Sequence, residues 1–197
     1  MKLSGRFSFQ IPPEPHWLPQ ARRWQIELPV ALANWLFNTG SLTRRLRHVC
    51  PGQFWVQVLG QYWARPLPSE SRILQLDHRG YVWIREVQLV CDDRPWVFAR
   101  TVIPPATLHG RCRRLMRLGN RPLGEVLFTD PSMQRAEVQI ARIAVTQRLH
   151  RRAFGALNEL PEPIWGRRSL FSSDDQRLLV CEIFLPDLPL SCSTNNN

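Results

Sequence analysis

Two stretches of this chain each pair two strand-length runs of aromatic and β-branched residues around a short polar segment. The first pair covers residues 81–91 and 95–103 around Asp92-Asp93-Arg94. The second covers 165–171 and 177–185 around Ser172-Ser173-Asp174-Asp175. Runs of this kind separated by a few turn-forming residues fold as antiparallel hairpins, so a sheet is the first commitment of the chain. A further run over 53–63 follows the turn residues Pro51-Gly52, and 138–145 offers one more, although its periodicity also fits a helix.

Helices are read from different signals. Val30, Leu32, Ala33, Trp35, Leu36 and Phe37 make a compact apolar stretch over 29–38, with Gly40 as its stop. Ser41 is placed to cap a second helix over 42–49. Over 107–118, Leu108, Cys112, Leu115 and Met116 recur at i, i+4, i+7 and i+8, and Gly119 follows as a stop. Helices segregated from a largely antiparallel sheet define an α+β fold. The expected organisation is a proline-rich lead-in over 1–20, a single domain over 21–190, and a polar tail over 191–197. No internal repeat is present.

The strands carry charges on faces that alternation alone would bury. Successive side chains of a strand point to opposite faces. Arg85 therefore shares a row with Tyr81, Trp83, Val87 and Leu89. Arg100 falls in line with Trp96, Phe98 and Val102, and Glu182 lies between Val180 and Phe184. A buried charge without a partner costs several kcal/mol, so such groups need partners or a ligand. A core ion pair of Arg85 with Glu182 is the plainer reading for any one of them. Three together favour a polar pocket within the sheet, built to hold a charged ligand. Arg79, Glu86 and Asp175 have ordinary polar or turn contexts.

Composition narrows the function. The 197 residues include 26 Lys+Arg against 16 Asp+Glu, a net charge of +10, and every basic residue except Lys2 is an arginine. The charge fits nucleic acid, an anionic surface or an anionic small substrate. The arginines are dispersed and fit a solvated surface. No apolar run is long enough to span a bilayer, no signal peptide is evident, and a cytoplasmic protein is expected. The five cysteines (Cys50, Cys91, Cys112, Cys181, Cys192) are scattered and form no CxxC pair, so neither a disulfide framework nor a zinc site is expected. His16, His48, His78, His109 and His150 lack ligand spacing and are read as surface or capping residues. No HExxH, GxGxxG, P-loop or GxSxG pattern occurs, and no metal or nucleotide chemistry is expected.

The same strands carry a resemblance. Glu70-Ser71-Arg72, Trp83-Ile84-Arg85-Glu86, Pro95-Trp96, Ala99-Arg100-Thr101-Val102-Ile103-Pro104 and Thr107-Leu108 come in that order. Leu118-Gly119, Pro122-Leu123-Gly124, Leu127-Phe128, Trp165-Gly166-Arg167-Arg168-Ser169 and Glu182-Ile183-Phe184-Leu185-Pro186 follow. Taken together they resemble the chorismate pyruvate-lyase family over about residues 69–190. The resemblance implies a six-stranded antiparallel sheet with helices packed on one side and a ligand cavity under helical flaps. It implies a cofactor-free lyase converting chorismate to 4-hydroxybenzoate and pyruvate, the first committed step toward ubiquinone. Arg85 would hold the ring carboxylate with help from the Leu123 backbone N–H, and Glu182 would contact the C4 hydroxyl. Arg100 would lie at a neighbouring anion-binding part of the cavity, where the chemistry assigns it the enolpyruvyl carboxylate. Leu42 matches the flap. Residues 73–80 and 147–163, a basic proline-containing insertion, are longer than in compact members, and the tail from 191 is extended.

Two arginines suit the two carboxylates of chorismate, because guanidinium forms bidentate, charge-assisted pairs. The partners expected are therefore chorismate and 4-hydroxybenzoate, with no nucleic acid and a monomeric state. An alternative is a non-catalytic small-ligand-sensing module of the same fold, as in the effector domains of a bacterial regulator family. It calls for a DNA-binding domain, and the region before the strands reads as two short helices rather than a winged helix-turn-helix. A nucleic-acid-binding protein is a third reading, predicting steep salt dependence, but no RNP-like motif or zinc finger supports it.

Overall fold

The computed structural model describes residues 14–77, 80–127, 132–155, 163–173 and 176–190. Among them eight strands form one antiparallel sheet: β1 (Leu18–Pro19), β2 (Phe54–Ala64), β3 (Val82–Cys91), β4 (Arg94–Ile103), β5 (Gln134–Arg135), β6 (Gln139–Ile143), β7 (Ile164–Ser173) and β8 (Gln176–Phe184). Their order is β1-β6-β7-β8-β4-β3-β2, with β5 beside β7. Six strands were expected. The two extra ones, β1 and β5, are two residues long and too short to carry an alternation. β1 pairs with β6 through Leu18↔Ile140, so residues 18–19 belong to the sheet.

Both expected hairpins form. In the first, Cys91 pairs with Arg94 around Asp92, whose φ of 51° is left-handed, a region that Asp tolerates better than most residues. The Asp92 carboxylate accepts from Gln53 N–H at 2.8 Å. It lies so close to Gly52 that a Cβ there would come within 2.1 Å of it, which explains the glycine. In the second hairpin β7 and β8 pair from Trp165↔Phe184 to Ser173↔Gln176, and Asp174 and Asp175 lie outside the described residues, as do Arg79, His78 and Cys192.

The helices are α1 (Val30–Leu36), α2 (Leu42–Val49), α3 (Pro68–Leu74), α4 (Leu123–Leu127) and α5 (Arg148–Phe154). Ser41 caps α2, its Oγ accepting from the Arg44 N–H. The segment expected as a helix over 107–118 is instead 3-10 over Pro105–Thr107 and Gly110–Arg117. Its buried residues Cys112, Leu115 and Leu118 recur every three positions, the period of a 3-10 turn.

The sheet is covered on both faces, not on one. Leu32, Trp35 and Leu36 of α1 and Leu42 and Leu46 of α2 pack with Val87, Leu89, Val97 and Phe184. On the same face Leu123 and Leu127 of α4 pack with Val180 and Phe171. The opposite face carries α3, whose Leu74 packs on Ile84, Val102 and Leu179. It also carries α5, whose Leu149 and Ala153 pack on Phe98 and Ile183. Both helices escape a sequence reading because each spans seven residues. α5 is the start of the basic insertion, which supplies a roof to the second face. His150 in α5 is fully buried, its ring centroid 4.7 Å from that of Phe154, and is not the surface residue expected.

The expectation of reduced, unpaired thiols also fails for two cysteines. Cys50, the C-cap of α2, and Cys91, the last residue of β3, form a disulfide with a Cα–Cα distance of 5.8 Å. They are 41 residues apart, and only the docking of α2 on the first hairpin brings them together.

Candidate functional site

The register of the central strands assigns each charged side chain to a face. Arg85 pairs across the strands with Thr101, Ala99 with Glu182, and Glu182 with Arg167. These residues share the face beneath α1, α2 and α4. Arg100 pairs with Glu86 and Cys181 and takes the other face. Between the first face and its helices lies a small cavity. Its floor is sheet (Arg85, Val87, Thr101, Glu182), and its roof comes from Leu42 and Thr43 of α2 and from Leu123, Gly124 and Leu127 of α4.

Arg85, Glu182, Leu123 and Leu42 all line this cavity. Arg85 is 2% exposed. Its Nη2 donates to the carbonyls of Gly119 at 2.9 Å and Arg121 at 3.1 Å, while its buried Nε has no hydrogen-bond partner. Gly119 presents its carbonyl from a left-handed turn at φ 54°. Burial pulls the Arg85 guanidinium down to about 10, still fully cationic at neutral pH. No carboxylate of the described residues pairs with it. As the first residue of α4, Leu123 contributes an N–H with no acceptor inside the helix.

Glu182 does not meet Arg85. Its Oε2 accepts from Arg167 Nε at 2.5 Å. Arg167 Nη1 donates in turn to the carbonyls of Trp35 at 3.0 Å and Asn38 at 2.7 Å, at and just past the C-terminal end of α1. Cations are stabilised there by carbonyls left without helical partners. Arg167 is therefore paired in charge with Glu182, and Glu182 is held in place by it.

A third guanidinium, Arg135 of β5, completes the lining. Its Nε donates to Ser169 Oγ at 2.9 Å and its Nη1 to the carbonyls of Thr39 at 3.1 Å and Asn38 at 3.4 Å. Burial lowers it to about 10. The charge of Arg167 adds to that effect and Glu182 opposes it. Arg135 and Arg167 escaped the sequence reading as site residues. For Arg167 the signal was available, since it alternates with Trp165 and Ser169 in a buried strand as Arg85 does in its own. Arg135 sits in a strand too short to show one.

Arg100 corrects the sequence assignment. It lies beneath α3 and α5 and makes ion pairs at 2.7 Å with Glu70 and with Glu86. Glu86 also accepts from Arg152 of α5 at 2.7 Å and from the Tyr62 hydroxyl at 2.8 Å. Burial works against the Arg100 charge, but the two carboxylates outweigh it and raise its pKa. Arg100 is thus satisfied by protein carboxylates on the face away from the cavity. Glu86, read from sequence as an ordinary polar residue, is 6% exposed and ties this network to the sheet.

The geometry defines a class: a sheet-and-flap fold with a cavity beneath short helices, three arginines and one glutamate at its wall. The chain belongs to the chorismate lyase family, whose model matches residues 14–190. Relatives carrying the name "Probable chorismate pyruvate-lyase" include one from Shewanella loihica, 41% identical over 80% of this chain and 81% of its own. One from Methylococcus capsulatus is 43% identical over 79% and 94%, and one from Halorhodospira halophila is 39% identical over 87% and 94%. Among solved structures, the C-terminal domain of the histidine utilization repressor from Pseudomonas syringae aligns at TM-score 0.52 and 9% identity, over 74% of this chain and all of that one. The ligand-binding domain of a GntR-family regulator from Bordetella bronchiseptica aligns at 0.51 and 17%, over 73% and 92%. These two likenesses show the fold alone. None of the described helices is long and apolar enough to cross a membrane.

Proposed function

We propose that this chain is a chorismate pyruvate-lyase, converting chorismate to 4-hydroxybenzoate and pyruvate at the head of a ubiquinone route. The family match and the relatives' names support the activity. One structural observation carries it to particular residues. Arg85 is buried at the cavity with an unpaired Nε and no carboxylate partner among the described residues, in one chamber with Leu123 and Glu182.

The reaction breaks the bond between ring C3 and the ether oxygen, and the proton on C4 is lost. The C4–H electron pair becomes part of the aromatic ring, and a proton reaches the methylene carbon of the departing enolpyruvate to give pyruvate. Aromatisation drives the step, so the protein's part is to fix the conformer and balance charge as it moves. Arg85 receives the ring carboxylate through charge-assisted hydrogen bonds, with the Leu123 N–H beside it. Glu182, held by Arg167, accepts from the C4 hydroxyl and stands at the carbon that loses its proton. Leu42 and Leu127 close the apolar side over the ring. A monomeric, cytoplasmic enzyme belongs to the same proposal.

The test is a chorismate turnover assay that follows both products, on wild type and on Arg85→Ala. Equal amounts of 4-hydroxybenzoate and pyruvate from wild type, lost in the variant, are expected. Folded wild-type protein that produces neither overturns the proposal.

A further inference from the structure

We infer that Arg135 is the anchor for the second, enolpyruvyl carboxylate, a contact that the substrate makes and the product cannot. The inference rests on the lyase proposal and names a residue in place of Arg100, which lies on the wrong face.

The charges at the cavity wall do not balance. Arg85, Arg135 and Arg167 face one carboxylate, Glu182, and that carboxylate is engaged by Arg167. Two cations are left without a carboxylate among the described residues, and the proposed substrate carries two carboxylates. Arg167 is no candidate, because its charge is already paired with the Glu182 carboxylate. Arg135 is. Its Nε and Nη1 go to a hydroxyl and to carbonyls, neutral groups that position the guanidinium without cancelling its charge, and no hydrogen bond from its Nη2 is found among the described residues.

Position agrees with charge. The Asn38 carbonyl accepts from both Arg135 and Arg167, so Arg135 sits at the Glu182 end of the cavity, beside the group proposed for the C4 oxygen. The enolpyruvyl ether leaves from C3, next to C4, and its carboxylate falls at that end. The ring carboxylate, across the ring, falls to Arg85 and Leu123. The Arg135 guanidinium also stands 5.6 Å from the centre of the Phe171 ring, another wall of the cavity, which limits its swing.

The product 4-hydroxybenzoate keeps the ring carboxylate and has lost the other, so the two arginines can be told apart. In Arg135→Gln, KM for chorismate is expected to rise by about tenfold or more, as for loss of a charge-assisted pair, with 4-hydroxybenzoate affinity changed by less than about twofold. Arg85→Gln should weaken both. Calorimetric titration with 4-hydroxybenzoate gives the product arm, and circular dichroism reports that each variant is folded. If Arg135→Gln does not fold, Arg135→Lys decides: it keeps the charge, loses the planar fork, and should still raise KM without moving product affinity. An unchanged KM, or equal losses for substrate and product, overturns the inference while leaving the lyase proposal standing. Absence of turnover by wild type would overturn the lyase proposal itself.

Discussion

Arg167 and Glu182 face each other across β7 and β8 as direct register partners, with the guanidinium Nε 2.5 Å from the carboxylate. Arg167 is 1% exposed and the Glu182 side chain 15%, so the pair is largely shielded from solvent and each partner depends on the other. Removing one partner of a buried pair leaves an uncompensated charge and costs about 3–5 kcal/mol. Arg167→Met should therefore destabilise the fold by that order in urea titration. Glu182→Gln should cost less, because Arg167 keeps its carbonyl partners, yet it should lower kcat by about 10²-fold or more if Glu182 takes part in proton transfer. Near-normal kcat in Glu182→Gln would exclude that role.

Arg100 gives the opposite signature. Its partners Glu70 and Glu86 are protein carboxylates, and the network lies on the face away from the cavity. Arg100→Leu leaves two buried carboxylates facing each other without their shared cation. A loss of about 3–5 kcal/mol is expected in chemical denaturation. In the folded fraction, 4-hydroxybenzoate affinity should stay within about twofold of wild type, because no contact to the cavity is removed. A specific loss of ligand affinity at unchanged stability would return Arg100 to the site.

The sequence made the cavity legible on one side only. Arg85 and Glu182 stood out because each interrupts an apolar row in a strand of nine or more residues, long enough for the alternation to show. The row also located Arg100, but alternation gives a residue's face relative to its own strand and not to the neighbouring one. The pairings Glu86↔Arg100 and Ala99↔Glu182 were needed to separate it from the cavity. Arg135 belongs to a two-residue strand and has no periodicity to interrupt. The helices of the second face are one to two turns long, and their contacts are made by tertiary packing, which no local pattern records. The disulfide was hidden for the same reason, since proximity across 41 residues is a property of the fold.

That disulfide should matter to stability more than to chemistry. It ties the end of α2 to the end of β3, and α2 supplies Leu42 and Thr43 to the cavity roof. Closing a loop of this length restricts the unfolded chain by about 4 kcal/mol in the chain-entropy account. Cys50→Ser with Cys91→Ser should lower the denaturation midpoint correspondingly, and dithiothreitol should do the same to wild type and nothing to the variant. Equal midpoints for wild type with and without reductant would show that the bond contributes nothing.

The ion pair of Arg47 on α2 with Glu125 on α4 bridges the two helices that roof the cavity. Both side chains are substantially exposed, so the pair contributes little to global stability, under about 1 kcal/mol. Its place gives it a different consequence. A ligand that leaves between α2 and α4 must separate these two charges, so the pair is expected to slow that step. Arg47→Ala should raise the dissociation rate of 4-hydroxybenzoate by about two- to fivefold in stopped-flow displacement, and shift Tm by less than about 3 °C. High salt should speed release from wild type and have a smaller effect on the variant, because it screens an interaction the variant lacks. The charge-reversed double variant Arg47→Glu with Glu125→Arg should restore slow release where either single reversal does not. If release is the same in all of them, α2 and α4 do not part when the ligand leaves.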